Sequence, residues 1–203
     1  MSLAQNRRII LASASEIRAT MLRNAGLNFN VRPGRVDEEA IRHSLEAEGA
    51  SARDLADTLA EMKARKVSER DMDALVIGAD QVLECDGRVF AKPDTQDDAR
   101  EHLKFLRGKT HRLLSAAVVC EGGRPIWRQV GTVRLTMHEV SDAMVADYVS
   151  RNWESIRHAV GCYKIEEEGV RLFARIEGDF FHILGLPLIE LLTWLRIRGD
   201  IPA

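Results

Sequence analysis

Seven polar side chains in this sequence have the types that cleavage of a phosphoanhydride requires. Asp80 follows the apolar run Val76-Ile77-Gly78-Ala79, and Glu38 offers a second carboxylate. Lys63, Lys92 and Arg18 are cations that could offset the charge of a polyphosphate, and Ser13 and Ser15 are hydroxyls beside Arg18. Carboxylates of this kind hold a divalent ion or take a proton from water. Two hydroxyls and a guanidinium at a helix start can cradle a phosphate, because the unpaired N–H groups there favour anions. The plainer readings are a helix cap with a surface arginine, and a turn aspartate. With 29 lysines and arginines in the chain, spacing alone does not choose this set.

Other chemistries find less support. GxxxxGK[ST] is absent, so no Walker loop is expected. Ser115 has no GxSxG surroundings, and His111 and the other five histidines lack metal-binding spacing. They read as structural or surface residues. Cys85, Cys120 and Cys162 are widely spaced and odd in number, which argues against a disulfide framework and for a reducing compartment. Charge nearly cancels, at 29 basic against 31 acidic residues, so no basic face for a long nucleic acid is expected. The start, Met1 to Arg8, lacks an apolar leader, and Ile9-Ile10-Leu11-Ala12 is too short to span a membrane.

The elements that must position these residues alternate between strand and helix, which predicts an α/β fold with a mixed sheet. Arg8–Ala12 reads as a buried strand, followed by a helix in which Ser13 and Glu16 have capping-box spacing and which Gly26 stops. Phe29–Val31 could be a strand, and Asp37-Glu38-Glu39 begins a polar connection. Leu55, Leu59 and Met62 mark a helix over 52–67, with Lys63 near the edge of its apolar face. Ala74–Ile77 reads as a strand ended by Gly78, which places Asp80 just past it, where open α/β sheets hold ligands. The small residues before Asp80 would leave room for a substrate. Strands are expected at 82–84 and 88–90 around Cys85-Asp86-Gly87, and at 113–120 and 126–137 around Gly122-Gly123. Thr95 and Ser141 can each cap a helix, Val170 to Ile176 alternates as a half-buried strand, and 186–195 is a final apolar helix. At 203 residues the chain fits one domain, open to division into two lobes around a cleft.

In order along the chain, these segments resemble the Maf family of nucleotide pyrophosphatases. The matching pieces are Leu11-Ala12-Ser13-Ala14-Ser15-Glu16-Ile17-Arg18, Val36-Asp37-Glu38, Ala60-Glu61-Met62-Lys63-Ala64 and Gly78-Ala79-Asp80. Lys92-Pro93, Gly108 with His111, Asp147-Tyr148-Val149, Gly161-Cys162-Tyr163-Lys164, Ile176-Glu177-Gly178-Asp179 and Gly185-Leu186-Pro187-Leu188 follow. The resemblance implies a mixed twisted sheet with flanking helices and a deep central cleft, like that of the inosine triphosphate pyrophosphatases. It implies hydrolysis of a nucleoside triphosphate to the monophosphate and pyrophosphate with magnesium or manganese. Asp80 matches the family's proposed general base, and Ser13, Ser15, Arg18, Glu38, Lys63 and Lys92 match its polar cleft residues. Glu38 and Asp80 are the implied metal ligands. A cytoplasmic enzyme, without long nucleic acid or membrane as partner, is the expectation, and a homodimer is left open.

Three positions bear on the base. Gln81 and Glu166 resemble the branch acting on 7-methyl-GTP, whereas threonine and glutamine there go with the branch acting on dTTP and UTP. Ile17 departs from both, since proline then often arginine follow the second serine in the family at large and the 7-methyl-GTP branch tends to have tryptophan where Ile17 stands. An ionised glutamate only accepts hydrogen bonds, which suits the N1–H and N2–H of guanine. A nearby anion also favours the cationic 7-methylguanine. The plainer reading is that Glu166, Glu167 and Glu168 form a solvated acidic turn. A nucleotide-binding regulator of cell division without turnover is the alternative from another class.

Overall fold

The computed structural model describes residues 7–202. The stretch 1–6, part of the segment read above for a leader, lies outside the described residues. Seven strands form one mixed sheet: β1 (Ile9–Leu11), β2 (Asn30–Val31), β3 (Leu75–Cys85), β4 (Arg88–Phe90), β5 (Thr110–Glu121), β6 (Arg124–Met137) and β7 (Phe173–Glu177). Their order is β2-β1-β3-β5-β6-β7, with β4 paired to β3. β1 runs parallel to both β2 and β3, and the pairings β3–β4 and β6–β7 are antiparallel. The helices are α1 (Glu16–Asn24), α2 (Glu38–Ala47), α3 (Ala52–Ser68), α4 (Gln96–Leu106), α5 (Asp142–Ile156), α6 (Phe180–Ile183) and α7 (Leu188–Arg198). Among the described residues no helix is long and apolar enough to cross a membrane.

The described residues divide into two compact units, one of 7–80, 115–131 and 180–202, the other of 81–114 and 132–179. In the first, Ile9, Leu11, Leu75, Ile77 and Ala79 pack with Leu22 of α1 and Leu188, Leu191 and Leu195 of α7. Alternation then sends Val76, Gly78 and Asp80 to the opposite face of β3. That face meets α3, whose capping box of Ser51 and Asp54 fixes its start. Ala60, Lys63, Ala64 and Val67 form its buried stripe at spacings of three and four.

Gly78 is where helix and strand touch. A Cβ there would stand 2.1 Å from the Ala60 carbonyl oxygen and 2.7 Å from the Ala64 nitrogen. The glycine makes room for α3, not for a substrate as its small size suggested, and it does not end the strand. β3 runs through it, so Asp80 lies inside an eleven-residue strand, not past its end. On the other side of Lys63, a Cβ on Gly34 would meet the Lys63 carbonyl oxygen at 2.3 Å.

Three further expectations are corrected. The polar connection after Asp37 is helix α2, capped by the Asp37 carboxylate, which accepts from Ala40 N at 3.0 Å. None of its residues is buried, so the apolar stripe that marks a helix is too weak to read. Val170 and Leu172 lie in a 3₁₀ turn, Glu168–Leu172, and only Phe173–Glu177 is strand. The Ser13–Glu16 capping box does not form, because α1 begins two residues later than that spacing requires. Ser15 is the N-cap and makes no side-chain cap, while Glu16 bonds Arg23 at 2.6 Å.

The second unit holds α4 and α5, capped by Thr95 and Ser141 as the sequence predicts. His111 is buried in it, with Nε2 2.7 Å from the Tyr163 hydroxyl and Phe173 packed against both rings. Burial lowers the His111 imidazole to about 4. All three cysteines are buried free thiols.

Candidate active site

The site grows out of two strand-to-helix relations in the first unit. β1 and β3 are in register with Leu11 opposite Ile77, and Ala12 N donates to Ile77 O at 2.7 Å. The two chains therefore continue side by side, bringing Ser13 beside Ala79. Arg18, in the first turn of α1, reaches back across both. Its Nη1 donates to Ser13 Oγ at 3.2 Å and to Ala79 O at 2.9 Å, and its Nε donates to Gly185 O at 2.7 Å. All three acceptors are neutral. They fix the guanidinium plane, and the two Nη2 hydrogens have no acceptor among the described residues. Ser13 Oγ also accepts from Ser15 N at 3.2 Å. No side chain caps the other N–H groups of the first turn of α1, which leaves them for an anion.

The second relation is that of β3 to α3. Asp80 lies two residues beyond Gly78 and thus on the same face, and Lys63 lies one turn along α3 from the Ala60 that Gly78 touches. The two side chains meet with Nζ 2.5 Å from Oδ1, and both are 8% exposed. Sequence reasoning put Lys63 at the edge of its helix's apolar face; the glycine contacts bring it inside. Glu38, the first residue of α2, is bound to the same Nζ at 2.7 Å, with its own side chain half exposed.

Ser13, Arg18, Glu38, Lys63 and Asp80 thus form one group carrying two positive and two negative charges. Burial pushes the Asp80 carboxyl above its ordinary value, against the pull of Lys63 and Arg18 and with a smaller push from Glu38. Burial lowers the Arg18 pKa, with Asp80 and Glu38 opposing. A carboxylate raised in this way holds a proton more readily than an exposed one, which is what a base for water needs.

Residues 8–197 match the family described as Maf-like protein. The chain belongs to the Maf family. A nucleoside triphosphate pyrophosphatase of Roseobacter denitrificans (strain ATCC 33942 / OCh 114) is 60% identical over 194 residues, covering 96% of this chain and 98% of the relative. A protein of the same name from Ruegeria sp. (strain TM1040) is 57% identical over 193 residues, 95% of this chain and 97% of its own. A 7-methyl-GTP pyrophosphatase of Rhizobium meliloti (strain 1021) is 45% identical over 195 residues, 96% of this chain and 98% of its own.

Of the residues expected from the Maf resemblance, five converge and Ser15 stands next to them as the cap of α1. Ile17 is half-buried on α1. Gln81 follows Asp80 in β3, half-buried, with its side chain on the opposite face of the strand. Lys92 is exposed after β4, and Glu166 is exposed in the turn before Glu168–Leu172. The neighbours of Glu166 are committed elsewhere. Glu167 accepts from Ser155 at 2.6 Å, and Glu168 pairs with Arg151 at 2.5 Å, which holds its carboxyl down to about 2. Glu167 and Glu168 are thus held by partners, and it is Glu166 that is exposed in the turn, as the solvated-turn reading has it.

Two carboxylates, those of Glu38 and Asp80, converge on the one ammonium of Lys63. Among the described residues no group of three or more His, Cys, Asp or Glu side chains converges as a metal site. A pair of carboxylates fits a hard divalent ion that takes its remaining oxygens from water and phosphate, as magnesium does. Sequence reasoning missed the acceptors of Arg18. Ala79 and Gly185 act through backbone carbonyls, which leave no signature in residue type.

Proposed function

We propose that this chain hydrolyses a nucleoside triphosphate to the monophosphate and pyrophosphate by attack of water on the α-phosphorus. The observation that carries the proposal is the buried Asp80–Lys63–Glu38 cluster beside the fixed Arg18. The names of the Roseobacter and Ruegeria relatives support the reaction class. Asp80 orients the water and takes its proton, helped by the burial that raises its carboxyl. Arg18 turns Nη2 toward the phosphates, and the first-turn N–H groups of α1 with Ser13 and Ser15 add neutral donors. Lys63 and Lys92 supply further positive charge. Glu38 and Asp80 would hold magnesium or manganese, which when bound neutralises phosphate charge and polarises the phosphoryl oxygens. Buried, unpaired thiols suit a cytoplasmic enzyme.

Its base is of guanine type, 7-methyl-GTP being the named candidate. Support comes from Glu166, which is exposed and uncommitted while its two acidic neighbours are paired, and from Gln81. The Rhizobium relative's name supports the same choice. A pyrophosphate-release panel of the common triphosphates, 7-methyl-GTP and other modified bases, each with magnesium and with manganese, tests both levels. Preference for 7-methyl-GTP, weakened by Glu166→Gln, is the expected result. Preference for UTP and dTTP overturns the choice of base, and nucleotide binding without turnover overturns the reaction and favours the regulator.

A further inference from the structure

Arg18 owes its orientation to a residue 167 positions away. Its Nε is held at 2.7 Å by the carbonyl of Gly185, in the connection between α6 and α7. Gly185 has φ +92°, and a Cβ built there would stand 3.0 Å from Nη2 and 3.1 Å from Nε of Arg18. Nη2 is the nitrogen whose hydrogens have no acceptor among the described residues. A methyl at Gly185 would therefore press on the one part of the guanidinium left for a ligand.

The carbonyl is itself firmly placed. Gly185 N donates to His182 O at 3.0 Å, and the same oxygen accepts from Ser115 Oγ at 2.6 Å. The His182 ring lies against Gly131, where a Cβ would come within 2.0 Å of Nδ1, and its Nε2 lies 3.1 Å from Glu190. The 182–185 turn is thus clamped to β5, β6 and α7.

We propose that Gly185 is a positioning residue for Arg18: its carbonyl sets the guanidinium plane, and its missing side chain keeps Nη2 open to the phosphates. The proposal rests on the reading of Arg18 as a phosphate-holding group. Its test is the variant Gly185→Ala beside the control Gly199→Ala. Gly199 has φ +79° and no atom within 4 Å of a built Cβ, so it carries a similar backbone strain without the contact.

Both variants should lose melting temperature by similar amounts. Only Gly185→Ala should lose kcat/KM, by roughly tenfold, since a 1 Å misplacement at a reacting site can cost about 100-fold and this shift is a few tenths of that. In an Arg18→Lys background, Gly185→Ala should change kcat/KM by less than about twofold, because residues acting as a unit are not additive. Equal kcat/KM for the Gly185→Ala and Gly199→Ala variants overturns the proposal. So does a tenfold loss that persists in the Arg18→Lys background. Full activity of Arg18→Lys alone overturns the role of Arg18 as well, which distinguishes failure of the underlying reading from failure of this one.

Discussion

Replacing Lys63 with methionine keeps the length of the side chain and removes the charge that two carboxylates share. The cost follows from burial. Asp80 is 8% exposed, so losing its partner leaves a buried anion with only Arg18 to oppose it. Breaking one side of a buried ion pair costs about 3–5 kcal/mol, and the remaining pull of Arg18 places this case near 3. Glu38 is half exposed and adds less than about 1 kcal/mol. At this chain length the sum lowers the melting temperature by about 6–16 °C. The loss depends on pH in a definite direction. Asp80 has its carboxyl raised above 3.8 in the folded state, so the folded state binds the proton more tightly than the unfolded chain. Its stabilising contribution is fully present below 3.8 and is lost as pH rises through the folded value. Without Lys63 that folded value rises further. The stability gap between wild type and Lys63→Met should therefore be widest at pH 8 and close as pH falls, first through the variant's Asp80 and then through that of the wild type. Urea unfolding of both proteins from pH 8 to pH 5 measures the gap, with all other titrating groups cancelling in the difference. A gap under about 1 kcal/mol at pH 8, or one of constant size across the range, would refute a buried and coupled pair.

Two other perturbations bear on the scaffold. His111 is lowered to about 4 by burial, so the unfolded chain binds the extra proton between its ordinary 6.5 and that value. Stability is then lost as pH falls, by about 2 kcal/mol between pH 7.5 and pH 5, and His111→Phe should remove that part of the slope in urea titrations at the two pH values. Gly78→Ala forces α3 away from β3, because the new methyl meets backbone atoms that cannot rotate aside. It should cost about 1–3 kcal/mol or more and, by moving Lys63 from Asp80, lower turnover at temperatures where the fold persists; a stable, fully active Gly78→Ala would show that the glycine does not set the pair.

The class of fold and most residue types of the candidate site were legible in the sequence, and the physical reasons differ by element. β1, α1, α3 and α4 were legible because their buried residues recur at strand or helix spacing and their ends carry caps or glycines. α2 was not, since it buries no residue, and the 3₁₀ turn at Val170 and Leu172 was not, since apolar residues two apart read as strand alternation although Val170 is exposed and Leu172 buried. Gly78 misled in a particular way. Glycine reads as punctuation in a strand, whereas here it is a contact point for a helix that delivers Lys63. The residue types of the candidate site were visible, but their convergence was not. It depends on a face relation, Gly78 to Asp80 on one side of β3 and Ala60 to Lys63 along α3, and on carbonyls of Ala79 and Gly185 that no side chain announces.

Asp80→Asn, assayed with identified products, tests the central claim most directly. Wild-type protein incubated with its best triphosphate and a divalent metal should yield monophosphate and pyrophosphate in equal amounts, without added pyrophosphatase. Asp80→Asn should remain folded and bind the nucleotide while turnover falls by at least about 100-fold, the lower end expected for loss of a general base. Near-normal turnover in that variant, or diphosphate and free orthophosphate as the products of the wild type, would contradict the account.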